Sequence, residues 1–355
     1  MGLLLNRFKH LDKDRYNKHV ELIHKNTGKS KTYIKFDIIK NALTRGSGYT
    51  DYFRGDYINL TNEQKDTFVT IKSFNKIVNY LNNLDYVILL NDKIIFNKLF
   101  NKYIKRDYID LRVTSFEDFV KFIKDKKNVF AKNPKGEGGY QVEKIKLSEF
   151  DALKLYNKLL KKEEYLVEEE IIQSKELNEI NPNAVNCFRV MTLLKDNKVY
   201  IVGNALRVNQ GEDGVIGSSH DLYFSFGEDG KIDSNVIDDY GNIYTEHPLT
   251  HKKFDEVLVK DVKKAFDMCK EAALLVPEIR FVGWDIGFTD NGPVMIEGNE
   301  YPGFGLVQHY KLKNSKTGFK KVLFDILKDE VNNIKKIWFL YNHIFFYFLN
   351  KGLKN

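Results

Sequence analysis

The sequence predicts a mixed chain, α+β or α/β, with a helical region at its N-terminus and a helix at its C-terminus. Three observations point there. Residues 1–88 repeat apolar positions at helical spacing, as in Phe74, Ile77, Val78 and Leu81 after a Ser73 suited to cap. From Asn91 onward short β-rich runs broken by Gly and Asn alternate with helical stretches, the pattern of a mixed fold. The final stretch, residues 326–355, is aromatic with lysines on both flanks. Neither an internal repeat nor a low-complexity linker interrupts the chain.

With 355 residues, 43% of them apolar and 14% aromatic, two or three compact units are within reach. The net charge of +7 comes from Lys and Arg spread along the whole length, which suits phosphates, uronic acids or an acidic membrane surface better than a nucleic acid. The two cysteines, Cys187 and Cys269, form no CxxC pair. Zinc and a disulfide framework are therefore not expected, and a reducing, cytoplasmic setting fits. Residues 1–10 contain three leucines but no apolar core of signal-peptide length.

One helix is expected over Phe254–Leu275, where Phe254, Val257, Leu258, Val262, Ala265, Phe266, Cys269, Ala272 and Ala273 form an apolar stripe ended by Pro277. Strands follow at Arg280–Phe288 and Pro293–Glu297, joined by Thr289, Asp290, Asn291 and Gly292. This hairpin carries Asp285, Glu297 and Asn299, two acids and an amide of the hard oxygen type that Mg²⁺ takes. A two-residue turn at Asn291-Gly292 sets Asp285 and Glu297 on opposite faces, because strand side chains alternate. A three-residue loop ending on a left-handed Gly292 sets Glu297 across from Asp285, with Asn299 beside it, and that geometry is expected. The apolar neighbours Trp284, Ile286, Val294 and Ile296 favour a cation over bare solvation, since buried acids need a counter-charge.

Upstream, Asn128–Lys132 is a short strand ending in lysine, followed by Pro134-Lys135-Gly136-Glu137-Gly138-Gly139 and a second strand over Tyr140–Ile145. A glycine loop lets backbone N–H groups approach a polyphosphate while the lysine adds a point charge. No Gly-Lys-Ser or Gly-Lys-Thr follows, so this is no Walker A loop. Tyr165–Gln173 begins as a buried strand and turns acidic at Glu168, Glu169 and Glu170. Val185–Leu194 and Val199–Val208 read as another hairpin, in which a four-residue loop places Arg207 opposite Asn186. Arg189 and Arg207 suit a phosphate or carboxylate through paired hydrogen bonds, and surface salt bridges account for them equally well. His220 with Asp221 is a weaker candidate base, since a polar-loop histidine is usually bystander surface.

In order along the chain, Asn91-Asp92-Lys93, Ala131–Pro134 with Gly136–Gly139, Tyr165–Gln173, Asn181–Val190, His247–Thr250, Gly283–Ile286 and Glu297–Asn299 resemble the ATP-grasp superfamily. Within it the likeness is to the sugar-transfer-associated ATP-grasp family of capsule and surface-polysaccharide genes, over roughly Tyr52–Gln308. The resemblance implies an ATP-grasp fold of two α+β lobes gripping ATP. It places phosphates on Lys93, Lys132 and the loop of Gly136, Gly138 and Gly139. Adenine falls to Glu168 and the backbone of Glu169 and Ile171, and ribose to Gln173 or Glu176. Mg²⁺ goes to Asp285, Glu297 and Asn299, and catalytic contacts to Arg189, Arg207 and Asn186. The implied reaction is ligation: an acid is activated as an acyl phosphate and captured by an amine. A kinase acting on a sugar or small acceptor is the first rival, and a nucleotide-binding scaffold for glycosyltransferases the second. Small residues usual at Glu137, a glycine usual at Tyr140 and a Thr or Ser usual at Cys187 are missing here.

The expected boundaries are 1–88 for the helical region, 89–175 for the small lobe, 176–325 for the large lobe and 326–355 for the tail. In the tail, Ile337–Leu349 is too short to span a bilayer. Its basic flanks suit peripheral contact with an acidic membrane, and packing on the core or a homodimer contact is the competing expectation.

Overall fold

The computed structural model describes residues 11–136, 142–211 and 221–336. Gly138, Gly139, His220 and the aromatic run from Ile337 lie outside the described residues. The chain divides into two compact units: Met1–Leu81 with Tyr240–Asn242 and Phe304–Asn355, and Asn82–Asp239 with Ile243–Gly303.

The first unit is helical among its described residues. Lys13–Thr27 and Lys31–Arg45 start at Asp12 and Ser30, whose side chains accept the N–H groups of Arg15 and Tyr33. Both end at glycines, Gly28 and Gly46, each at φ 68°, a left-handed exit that a side chain would resist. Helix Ile71–Leu81 buries Phe74, Ile77, Val78 and Leu81, the stripe read from the sequence. Its cap differs from expectation. Thr70 precedes the first turn and accepts the Ser73 N–H at 3.3 Å, while the Ser73 hydroxyl accepts the Thr70 N–H at 2.8 Å, so Ser73 closes the cap from inside the helix. Val20, Ile34, Tyr52 and Phe68 form the core, and the Tyr52 hydroxyl donates to Asp37 at 2.6 Å.

The second unit holds two sheets. Strands β1 (Tyr108–Asp110), β2 (Asn128–Lys132), β3 (Val142–Lys146) and β4 (Leu166–Glu169) form an antiparallel sheet in the order β1-β4-β2-β3. Helices Phe116–Ile123 and Ala152–Lys161 cover one face through Phe119, Leu155 and Leu159, packed on Val129, Ala131 and Val167. Alternation then puts Phe130, Lys132 and Glu168 on the other face.

The larger sheet runs β11-β10-β5-β6-β7-β8-β9. Its strands are β5 (Cys187–Lys195), β6 (Lys198–Val208), β7 (Leu222–Phe224), β8 (Val236–Ile237), β9 (Ile243–Tyr244), β10 (Phe281–Thr289) and β11 (Gly292–Asn299). Helix Val262–Leu274 shares one core with its inner face, where Ala265, Phe266, Cys269 and Ala272 join Phe188, Val190, Trp284 and Ile286. That helix is shorter than the expected Phe254–Leu275. Residues Phe254–Glu256 form one 3₁₀ turn, and Asp261 takes φ 66°, which interrupts the helical path. Phe254 and Val257 are nevertheless buried in the same core, so the apolar spacing reported burial and not helical continuity.

Candidate active site

The outer face of the large sheet gathers the polar residues. On β10, Gly283 and Asp285 alternate with the buried Trp284 and Ile286, and pairing carries the alternation across the sheet. Asp285 lies opposite Glu297 on β11 and opposite Arg189 on β5, while Asn299 pairs with Gly283. Cys187 and Arg207 lie on the same face, since they pair with each other two residues from Arg189.

The register arises differently from the sequence expectation. The hairpin turn is two residues, Asp290 and Asn291, with Thr289 paired to Gly292. Continued regularly, that pairing would put Ile296 opposite Asp285. A bulge makes Ile296 the extra residue, so Ile286 pairs with Met295 and Asp285 with Glu297. The expected meeting of the two acids holds, and the bulge supplies it. In the β5–β6 hairpin a two-residue turn, Asp196-Asn197, is followed by a bulge at Val202. Arg207 consequently faces Cys187 and not Asn186, which corrects the expected pair.

Arg189 holds Asp285 with two hydrogen bonds, Nε to Oδ1 at 2.5 Å and Nη2 to Oδ2 at 2.9 Å. The absence of a side chain at Gly283 makes room for this: a Cβ there would lie 2.7 Å from Pro302 Cβ and 3.1 Å from Arg189 Cδ. Burial raises the Asp285 pKa, but the Arg189 charge and its bonds outweigh it and hold the carboxyl below its usual range. Glu297 goes the other way. Burial and the neighbouring Asp285 charge raise it, and Lys93, Lys132 and Arg189 offset them only in part. The Asn299 Nδ2 donates to Asp285 Oδ2 at 3.3 Å. Burial and Asp285 push the Cys187 thiol up, so it stays protonated.

Two lysines act on Glu297. Lys93 opens helix Lys93–Leu99, capped by Asp92, whose Oδ1 accepts the N–H groups of Ile94 and Ile95. Its ammonium donates to the Gly136 carbonyl. Lys132 ends β2 and pairs with the buried Glu168. Glu168 also accepts from Asn97 at 2.7 Å and Arg106 at 2.8 Å. Burial raises its pKa, yet Lys132, Arg106 and these bonds bring it down to about 2.

The other expected contacts fall as follows. Glu169 receives the Asp107 N–H at 3.3 Å and gives its own N–H to the Asp107 carbonyl at 2.9 Å. Ile171 lies just beyond β4, where a Cβ at Gly287 would come 3.5 Å from its Cγ2. Glu176 pairs with Lys260 at 3.0 Å. Gln173 is buried, donating to the Asn181 carbonyl at 3.1 Å and accepting the Asn186 N–H at 2.6 Å. Asn186 turns inward as well, with Nδ2 on the Leu177 carbonyl at 3.1 Å. Arg207 donates to the buried Asp221 at 2.8 Å. Sequence reasoning passed over Arg106 and Asn97, which carry no motif. Their only signal was the presence of a buried acid, Glu168, needing partners.

A divalent cation fits the donor set. Two carboxylates face each other, one is pushed up by the other, and Asn299 adds an amide, so a hard cation would relieve the repulsion that a proton otherwise relieves. Among the described residues no group of three His, Cys, Asp or Glu is arranged to hold a metal ion by itself.

Residues 73–320 match the family described as sugar-transfer associated ATP-grasp. The chain belongs to that family and has its α+β ATP-grasp fold. No curated protein matches it. Among solved structures it is similar to D-alanyl-alanine synthetase A from Vibrio cholerae, at 13% identity and a TM-score of 0.42 over 68% of this chain and 65% of the other. The ATP-grasp ligase PsnB, complexed with a precursor variant, Mg and ADP, is similar at 15% identity and a TM-score of 0.40, over 68% and 58%. N5-carboxyaminoimidazole synthetase from Staphylococcus aureus, complexed with ADP, follows at 11% identity and 0.39, over 61% and 46%. The chain spans less than two thirds of the length of each of these. Among the described residues no helix is long and apolar enough to cross a membrane.

Proposed function

We propose that the protein is an ATP-dependent ligase that activates a carboxylate as an acyl phosphate and joins it to an amine, in the building of a surface polysaccharide. The observation that carries this reading is the Asp285–Glu297 pair on one sheet face, with the charges of Lys93 and Lys132 acting on Glu297. Lys93 and Lys132 hold the polyphosphate, together with the loop of Gly136, Gly138 and Gly139. The backbone of Glu169 and Ile171 borders the base. Asp285, Glu297 and Asn299 would hold Mg²⁺, which would offset the negative charge of the nucleotide's phosphates.

Arg207 orients the substrate carboxylate through paired hydrogen bonds, a role supported by its bond to Asp221, which fixes the guanidinium. A carboxylate oxygen attacks the γ-phosphorus and ADP leaves. The amine nitrogen then attacks the acyl carbon, phosphate leaves, and the nitrogen loses a proton. No enzyme nucleophile is required, in keeping with the protonated Cys187.

The test is phosphate release from Mg-ATP with uronic and amino acids paired with amines. A ligase releases phosphate only when acid and amine are both present. ADP with a phosphorylated acceptor would mean a kinase, and nucleotide binding with neither product a scaffold. Glu297→Gln is expected to lower turnover by about 10²–10³-fold or more. Full turnover in that variant would remove the site from the reaction.

A further inference from the structure

The two edges of the second unit's sheets meet through one side chain. Arg106 precedes β1, the edge strand of the small sheet, and β11 is the edge strand of the large one. Its side chain is 4% exposed. One nitrogen, Nη1, donates to the Met295 carbonyl at 2.6 Å, and Nη2 donates to Glu168 at 2.8 Å and to the Ile296 carbonyl at 3.4 Å.

Successive carbonyls of a regular strand point to opposite edges, so one guanidinium cannot ordinarily take both. Here it can, because Ile296 is the bulged residue. The same bulge sets Glu297 opposite Asp285. Arg106 therefore satisfies edge carbonyls that a paired strand would otherwise take, and in doing so holds the bulged backbone in place. Through Glu168 it also shares a carboxylate with Lys132.

We infer that Arg106 is a positioning residue: it clamps the Ile296 bulge, and so keeps Glu297 and Asp285 poised for a divalent cation while fixing, through Glu168, the lysine that faces the polyphosphate. This rests on the reading of Asp285, Glu297 and Asn299 as cation ligands. Lysine is no substitute, since a single ammonium cannot hold two carbonyls and a carboxylate in one plane.

The test measures binding of a non-hydrolysable ATP analogue by calorimetry, in Mg²⁺ and in EDTA, for the wild-type protein, Arg106→Met, Arg106→Lys and Glu297→Gln, with melting curves for each. The quantity of interest is the gain in affinity that Mg²⁺ confers, which a loss of global stability alone does not change in a folded sample. Arg106→Met is expected to cut that gain by about 10–100-fold, as loss of a group supporting metal ligands does, with Arg106→Lys in between and affinity in EDTA little changed. If Arg106→Met does not fold, Arg106→Lys decides. Folded Arg106 variants with the wild-type gain, beside a Glu297→Gln that has lost it, would overturn the role of Arg106 alone. A Glu297→Gln that keeps the gain would overturn the cation reading beneath it.

Discussion

The β10–β11 and β5–β6 hairpins are built alike and end differently. Each closes on a two-residue turn, and each then inserts one extra residue, Ile296 or Val202, that shifts every later pair by one. In the first, the shift brings two carboxylates face to face. In the second, it takes Arg207 away from Asn186 and gives it Cys187 across the strand and Asp221 as its ion partner. The supports differ as well. A buried guanidinium grips the Ile296 bulge, whereas Val202 is an apolar residue only 8% exposed. In both, the register at the site is decided by the bulge, and the turn contributes only the starting point.

Removing the charge partner on each face should separate the two. Arg189→Met leaves Asp285, 6% exposed, without its bidentate partner, and is expected to cost about 3–5 kcal/mol in urea unfolding. Arg207→Met is expected to cost less, about 2–3 kcal/mol, because a single hydrogen bond joins this partly exposed side chain to the buried Asp221. Equal costs would mean that the two arginines stand in equivalent environments.

Acid sharpens the contrast through the clamp. Folded Glu168 titrates at about 2 against an ordinary value of 4.5, so its contribution is fully present above pH 4.5 and is lost as pH falls toward 2. Protonation releases Arg106 and Lys132 together. Glu168→Gln should therefore flatten stability between pH 4.5 and 2 relative to the wild-type protein, a difference of about 3 kcal/mol. Parallel acid titrations of the two proteins would show that Glu168 carries no depressed proton affinity.

What was legible in the sequence, and what was not, follows from the same physics. Motif order identified the family, and alternation along β10 placed Asp285 on the face away from Trp284. Bulges were not legible, since Ile296 and Val202 look like any strand residue, and so Glu297 was placed correctly by a wrong route and Arg207 was misplaced. The family resemblance assigns Gln173 to the ribose and Asn186 to catalytic contacts. The structure shows them bonded to the backbone around Leu177 and Asn181, where buried N–H and C=O groups need partners. Arg106 escaped notice because the strand carbonyls it holds, those of Met295 and Ile296, lie almost two hundred residues away, and no local pattern marks that.

The smallest expected effects lie in the turns. Asp196 and Asn197 both have positive φ, 51° and 58°, the geometry in which glycine is favoured at the second position. Asn197→Gly should therefore stabilise the protein slightly, by about 0.5 kcal/mol, with nucleotide affinity unchanged. In the other hairpin the left-handed position is Gly292, at φ 97°, and Gly292→Ala should destabilise by about 1–2 kcal/mol. Because the bulge at Ile296 and the Arg106 clamp lie between that turn and Glu297, the Mg²⁺-linked gain in nucleotide affinity should survive in Gly292→Ala. Its loss in a folded Gly292→Ala protein would show that the turn, and not the bulge, sets the register of the acids.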